Sequence, residues 1–203
     1  MQAVKTANPN FTILVDYYPY TNTKAKLKSE FQSWFDYKKN KNLDISNYDL
    51  ESDEANSLRS SLESKLINGN FSFLYYKDEC LGFCGLQIQD YNAWIHRLFT
   101  NPTQYINYLG TFSQYVIPYQ ITIAKQLGCR YYKLTYNGRN ERFYYFYRDK
   151  KFQKSKYYKD HTLSGVKNLS NFEFIGYEII NNTRQLVARL DLNRSDLDQF
   201  CKF

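Results

Sequence analysis

Few residues in this chain have side chains suited to chemistry. His96 and His161 are the only imidazoles among 203 residues. His96 lies inside Trp94-Ile-His-Arg-Leu-Phe-Thr100, a strand-like run, and an imidazole there can act as a general base near neutral pH. A lone histidine in an aromatic strand more often has a packing role. The four cysteines, Cys80, Cys84, Cys129 and Cys201, show no paired C-x-x-C spacing, so no metal site is expected. Their expected state is reduced and partly buried, as in a cytoplasm. The even spacing of Cys80 and Cys84 in one apolar run predicts that both side chains share a face. Glu173 and Glu178 read as ordinary strand carboxylates, and no Ser-His-Asp grouping can be assembled from spacing.

A second kind of chemistry is electrostatic. The net charge is +7, which favours acidic partners such as nucleic acid, phosphorylated cofactors or an acidic protein surface. Residues 142–159 interleave cations and aromatics, including Arg142, Arg148, Lys150, Lys151, Lys154, Lys156, Tyr157 and Tyr158. Such a pattern can stack bases and hold phosphates, can equally hold a cofactor's phosphate or an acidic protein face, or can be a solvated loop whose tyrosines lie on the core. No stretch reaches the roughly 18 apolar residues that a membrane span needs, so no membrane partner is expected. Met1–Asn10 is polar and unlike an export leader, which points to a cytoplasmic protein.

The elements that must position these residues follow from periodicity. Phe11–Val15 is β-branched and reads as the first strand. Thr21-Asn22-Thr23 offers caps for a helix whose apolar face is Leu27, Phe31, Trp34 and Phe35. A second helix follows Ser52, with a stripe of Ala55, Leu58, Leu62 and Leu66 and a terminating Gly69. Phe71–Tyr76 and Leu81–Ile88 form a hairpin about Lys77-Asp78-Glu79, and Trp94–Thr100 is a further strand closed by Asn101-Pro102. Helical spacing over 112–127 ends at Gly128, and Pro118 within it must kink the helix or mark its start. Cys129–Tyr136 is a strand, 140–150 a short helix, and 154–170 a long loop. Phe172–Ile180 pairs with Arg184–Leu192, whose Leu186, Ala188, Leu190 and Leu192 mark a buried face. The order is β-α-α-β-β-β-α-β-α-β-β in one α/β domain over 1–203, with its core at about 11–192 and a parallel strand pair at its middle β-α-β unit.

This order resembles the GNAT acyltransferase superfamily. The sharpest resemblance is Asn140-Glu-Arg-Phe-Tyr-Tyr-Phe-Tyr147-Arg-Asp-Lys-Lys-Phe152, where Asn140, Tyr147 and Phe152 fall at family positions. Leu81-Gly-Phe-Cys-Gly-Leu86 and Leu98-Phe-Thr-Asn-Pro102 are similar to the family's central strands. The resemblance implies a mixed, mostly antiparallel sheet flanked by helices, with a splayed parallel pair that receives acetyl-CoA. Leu98, Phe99 and Thr100 would then contact the cofactor along the strand. Gly110, Thr111 and Phe112 would receive its pyrophosphate at a helix entrance, where backbone N–H groups and positive potential favour phosphate. Tyr147 would be the general acid that protonates the departing thiolate, and Asn140 a cofactor-side residue. Apart from the resemblance, the place of His96 in its strand would let it face a substrate amine as base. The family pattern at the helix entrance is matched by Gly110 but not by Asn107 or Phe112, and Phe143 and Lys151 replace small residues.

Three functions follow as expectations. The first is an N-acyltransferase using acetyl-CoA on an amine. The second is a non-catalytic protein that keeps the fold to bind protein partners in an assembly such as a virus particle. The third is a nucleic-acid-binding module acting through 142–159.

Overall fold

The computed structural model describes residues 1–41, 53–103, 110–136, 171–180 and 183–200. Eight strands form one sheet in the order β1-β2-β3-β4-β5-β6-β8-β7. They are β1 (Gln2–Lys5), β2 (Phe11–Asp16), β3 (Asn70–Tyr76), β4 (Glu79–Gln89), β5 (Asn92–Thr100), β6 (Tyr131–Tyr136), β7 (Glu173–Ile180) and β8 (Thr183–Asp191). The helices are α1 (Thr21–Asn40), α2 (Asp53–Glu63), a π-helical turn (Phe112–Val116) running into α3 (Ile117–Gln126), and a short α4 (Leu197–Phe200). β5 and β6 pair in parallel, whereas the registers of β1–β2, β2–β3, β3–β4, β6–β8 and β7–β8 are antiparallel. The expected mixed, mostly antiparallel α/β sheet is therefore present. β1 was not anticipated, because its four residues are mostly exposed and lack a buried alternation. The expected helix over 140–150 and loop over 154–170 lie outside the described residues.

Contacts group the chain into two compact units, one of residues 1–87 and 96–105, the other of 88–95 and 106–203. In the first, α1 contributes Leu27, Phe31 and Trp34, and α2 contributes Leu58 and Leu62, to a core shared with Phe71, Phe73, Tyr75 and Phe83. The Trp34 indole stacks on the Phe83 ring at 5.2 Å and 7°. A bulge decides which β4 residues reach this core. Tyr75 pairs with Cys80 but Leu74 pairs with Gly82, so Leu81 is an extra residue in β4. Cys80 consequently faces the helices beside Tyr75, while Cys84, opposite Ser72, faces the other way. The even spacing predicted a shared face and was overturned by that one inserted residue.

Two helix ends also differ from expectation. The residue ahead of α1 is Tyr20 at φ 58, and none of the Thr21-Asn22-Thr23 side chains caps the helix. The capping group is the buried Asp16 carboxylate at the end of β2, which accepts from the Thr23 N–H and from Thr23 Oγ1, both at 2.8 Å. At the end of α2 the left-handed residue is Lys65 (φ 58), and the Leu66 N–H reaches back to the Ser61 carbonyl in a Schellman closure. Leu66 is therefore exposed rather than part of the stripe. Gly69 instead lies where an added Cβ would stand 2.8 Å from the Leu86 side chain.

In the second unit, the β4–β5 turn places Asp90 (φ 49) and Tyr91 (φ 60) in left-handed conformations, as a two-residue primed hairpin turn requires. The Tyr91 carbonyl accepts from the Arg130 N–H at 2.7 Å. Pro118 sits in the first turn of α3, immediately after the π-helical turn. An α-helix continuing there would press the proline ring on the carbonyl four residues back, and the wider turn relieves this. Gly128 (φ 76) ends α3 as expected, with Cys129 N–H donating to the Ala124 carbonyl. Leu186, Ala188, Leu190 and Leu192 are all buried, and the Tyr132 hydroxyl donates to the buried Gln120 Oε1 at 2.6 Å.

Two substitutions test this packing. A Cβ at Gly85 would stand 2.7 Å from Ile67, a fully buried side chain, so Gly85→Ala should destabilise by about 1–3 kcal/mol. Asp16→Ala strips the acceptor from two Thr23 donors and should cost about 1–3 kcal/mol. Both are measured as a lowered urea midpoint at unchanged slope.

Candidate active site

β5 carries the predicted His96 and departs from strand geometry one residue later. Arg97 has φ 55, a conformation that is an outlier for a bulky residue. Successive strand side chains normally point to opposite faces. Here the left-handed residue breaks the alternation, and both His96 and Arg97 turn toward α2. His96 Nε2 lies 3.1 Å from Ser61 Oγ, and Arg97 Nη2 donates to Ser57 Oγ, one helical turn away. Beyond the break, Phe99 packs into the aromatic core against Phe31 and Phe83, while Leu98 and Thr100 are exposed.

The hydrogen bonds define the state of His96. Ser61 Oγ donates its proton to the Ser57 carbonyl at 2.8 Å, so its contact with His96 requires the imidazole to donate. The proton is thus assigned to Nε2 and the lone pair to Nδ1. Burial first, and the nearby Arg97 charge second, lower the His96 pKa to about 4. The ring is neutral at neutral pH, and it binds a proton weakly.

Arg97 has an incomplete set of partners. Its Nε is buried and has no hydrogen-bond acceptor, and among the described residues no carboxylate pairs with its guanidinium. Asn101 fixes the end of β5, with its N–H donating to the Leu81 carbonyl and its Nδ2 to the Cys80 carbonyl, both at 2.8 Å. Its Oδ1 accepts from Thr103, which closes the strand where the sequence placed its end.

In the second unit, Gly110 holds φ 90 ahead of the π-helical turn, and its carbonyl accepts from the Gln114 N–H at 2.9 Å. Thr111 and Phe112 are both buried, so the Phe112 ring is directed into the core and not out of the helix entrance. The parallel register of β5 with β6 comprises Asn92 with Tyr131, Ala93 with Tyr132 and Trp94 with Lys133. Asn140, Tyr147 and the basic-aromatic stretch 142–159 lie outside the described residues, as do Asn107, His161 and Cys201. Among the described residues, no group of His, Cys, Asp and Glu is arranged to hold a metal, and no helix is long and apolar enough to cross a membrane. Sequence reasoning missed Arg97, Ser57 and Ser61. Their only signal is the four-residue spacing of the two serines on α2, beside an unremarked arginine.

No protein-family model matches the sequence, and neither does any curated protein. Solved structures do match. An uncharacterized protein from Bacillus halodurans aligns over 100% of this chain and 97% of its own, at 11% identity and TM-score 0.58. A protein from Desulfovibrio desulfuricans assigned to the GNAT family of acetyltransferases aligns over 90% and 99%, at 12% identity and TM-score 0.52. An acetyltransferase from Streptococcus agalactiae aligns over 88% and 98%, at 13% identity and TM-score 0.51. The fold is therefore GNAT-like, as the sequence resemblance implied.

The state of His96 has a consequence for stability. The unfolded imidazole takes up a proton near its ordinary value of about 6.5, whereas the folded one resists until about pH 4. The contribution of neutral His96 is complete above about pH 6.5 and is lost as pH falls toward 4. Urea midpoints should fall between about pH 7 and about pH 5, and His96→Gln should flatten that fall.

Proposed function

We propose that this chain is an acyl-CoA-dependent N-acyltransferase acting on an amine, with acetyl-CoA as the donor. The observation that carries the reading is the left-handed Arg97 in β5. It breaks the strand after only a few parallel pairs with β6, and leaves Leu98 and Thr100 exposed on a strand pinned at its end by Asn101. The GNAT-like fold and the sequence resemblance support the same assignment. The helix entrance also suits a pyrophosphate: Gly110 adopts a glycine-type conformation, and the bulky Phe112 is withdrawn into the core.

In this reading the thioester supplies an activated acyl group. Backbone N–H groups along Leu98, Phe99 and Thr100 hold the donor and polarise its carbonyl, which is worth most where charge builds up in the transition state. Amides at Gly110, Thr111 and Phe112 receive the pyrophosphate, and the resemblance gives Asn140 a cofactor-binding role. The amine attacks in its neutral form, the C–N bond forms and the C–S bond breaks. The Tyr147 phenol then delivers its proton to sulfur, because the two groups have comparable basicity, and the phenolate takes up the proton that the acylated nitrogen loses, which restores the phenol. His96 presents an Nδ1 lone pair that can accept a hydrogen bond from the amine and orient it. With a pKa of about 4 it is a weak sink for the amine's proton, so its part is positioning more than deprotonation.

Calorimetric titration with acetyl-CoA tests the cofactor step. Saturable binding is expected in the wild type and in Tyr147→Phe. Release of free thiol on adding a panel of amines should then be roughly a hundredfold slower or more in the variant. No binding at millimolar acetyl-CoA would exclude the enzyme and favour a non-catalytic GNAT-like protein with macromolecular partners.

A further inference from the structure

Arg97 occupies an unusual environment for a cation. Its guanidinium is turned against α2, its Nε–H is buried with no acceptor, and no described carboxylate offsets its charge. A buried donor left unmet is destabilising, and more so on a charged group. The backbone conformation at φ 55 adds a further cost on an arginine side chain. These costs place Arg97 beside two hydroxyls and a neutral imidazole, with an edge of the guanidinium formed by Nε and Nη2. Nη2 is held by Ser57, and the Nε position has nothing to bind. That edge matches the paired oxygens of an anion, which accept two parallel N–H bonds from a guanidinium.

We infer that Arg97, together with the Ser57 hydroxyl and beside the mutually bonded Ser61 and His96, forms a subsite for an anionic group, carboxylate or phosphate, carried by the acyl acceptor. The assignment of that group to an acceptor rests on the acyltransferase reading, whereas the anion site itself does not. All four residues belong to one compact unit, so their grouping is local. The acceptor amine would therefore be a zwitterionic or phosphorylated small molecule or chain end, not a simple alkylamine. The anion would accept from Arg97 Nε and compete with Ser57 Oγ for Nη2. The Ser57 hydroxyl would be released to donate to it.

His96 reports on this site without any turnover. Two histidines in the whole sequence give two imidazole signals in a nuclear magnetic resonance spectrum, and His96→Gln identifies the relevant one. The full chain, without acetyl-CoA, is titrated with propionate, methyl phosphate and, as a neutral control, propionamide. Propionate or methyl phosphate should shift the His96 signal saturably, and whichever binds more tightly identifies the source of the anion. Propionamide should not shift it. Arg97→Gly, which suits the left-handed backbone and so keeps the fold, should weaken anion binding about tenfold or more. Arg97→Lys should restore part of it. A folded wild type whose His96 signal ignores both anions would overturn the inference. So would an Arg97→Gly variant that binds them as tightly as wild type. Acetyl-CoA calorimetry is independent of these titrations, so failure of one reading is distinguishable from failure of the other.

Discussion

The first unit is organised around the ring of Phe83. It stacks on Trp34 and meets Phe31, Phe71, Phe73 and Phe99 at centroid distances between 5.2 and 5.8 Å. Aromatic pairs of this kind add to the area they bury, so one ring couples α1, β3, β4 and β5. Its orientation depends on the inserted Leu81, which shifts the phase of β4. Without the insertion Phe83 and Cys80 would face opposite sides of the sheet, and Trp34 would lose its stacking partner. A backbone irregularity in a hairpin thereby sets the packing of a helix nearly fifty residues earlier in the chain.

β5 breaks its alternation by a different device, a left-handed residue and not an insertion. After its left-handed Arg97, the strand sends Phe99 into the core, and Phe99 helps hold the Phe83 cluster. Before it, His96 already faces α2. Two adjacent polar side chains thus share a face that strand geometry would otherwise divide between them. The left-handed backbone sets a cation and an imidazole over one turn of a serine-bearing helix. Strain of this kind is found where the surrounding contacts over-determine a conformation, and here Phe99 and Asn101 on one side and α2 on the other do so.

α3 shows how a local conflict can be absorbed without losing the element. A proline within the helical run forbids a regular continuation, yet the apolar spacing on both sides demands one. The π-helical turn satisfies both, and it keeps Phe112, Tyr115 and Val116 buried together with the residues of α3. The same helix ends cleanly at Gly128, where only the chain's own backbone bonds are needed.

The sequence by itself determined the elements whose signals are local. The periodicity of Leu27, Phe31 and Trp34, the polar turn at Lys77-Asp78, Gly128 as a helix stop and the alternation through Leu192 each lie within one stretch of chain. Those residues carry the order of strands and helices, and hence the GNAT-like fold. Only tertiary structure decided what depends on distant partners. Asp16 displaced the expected caps because pairing of β2 with the distant β3 fixes it where its carboxylate meets the first turn of α1. Cys80 and Cys84 separated because the bulge answers to the pairing of β3 with β4. Arg97 showed no signal, since its conformation comes from packing that fixes Phe99 and α2 together. Side-chain chemistry is written along the chain, but which side chains meet is set by long-range burial, and burial is a property of the folded molecule.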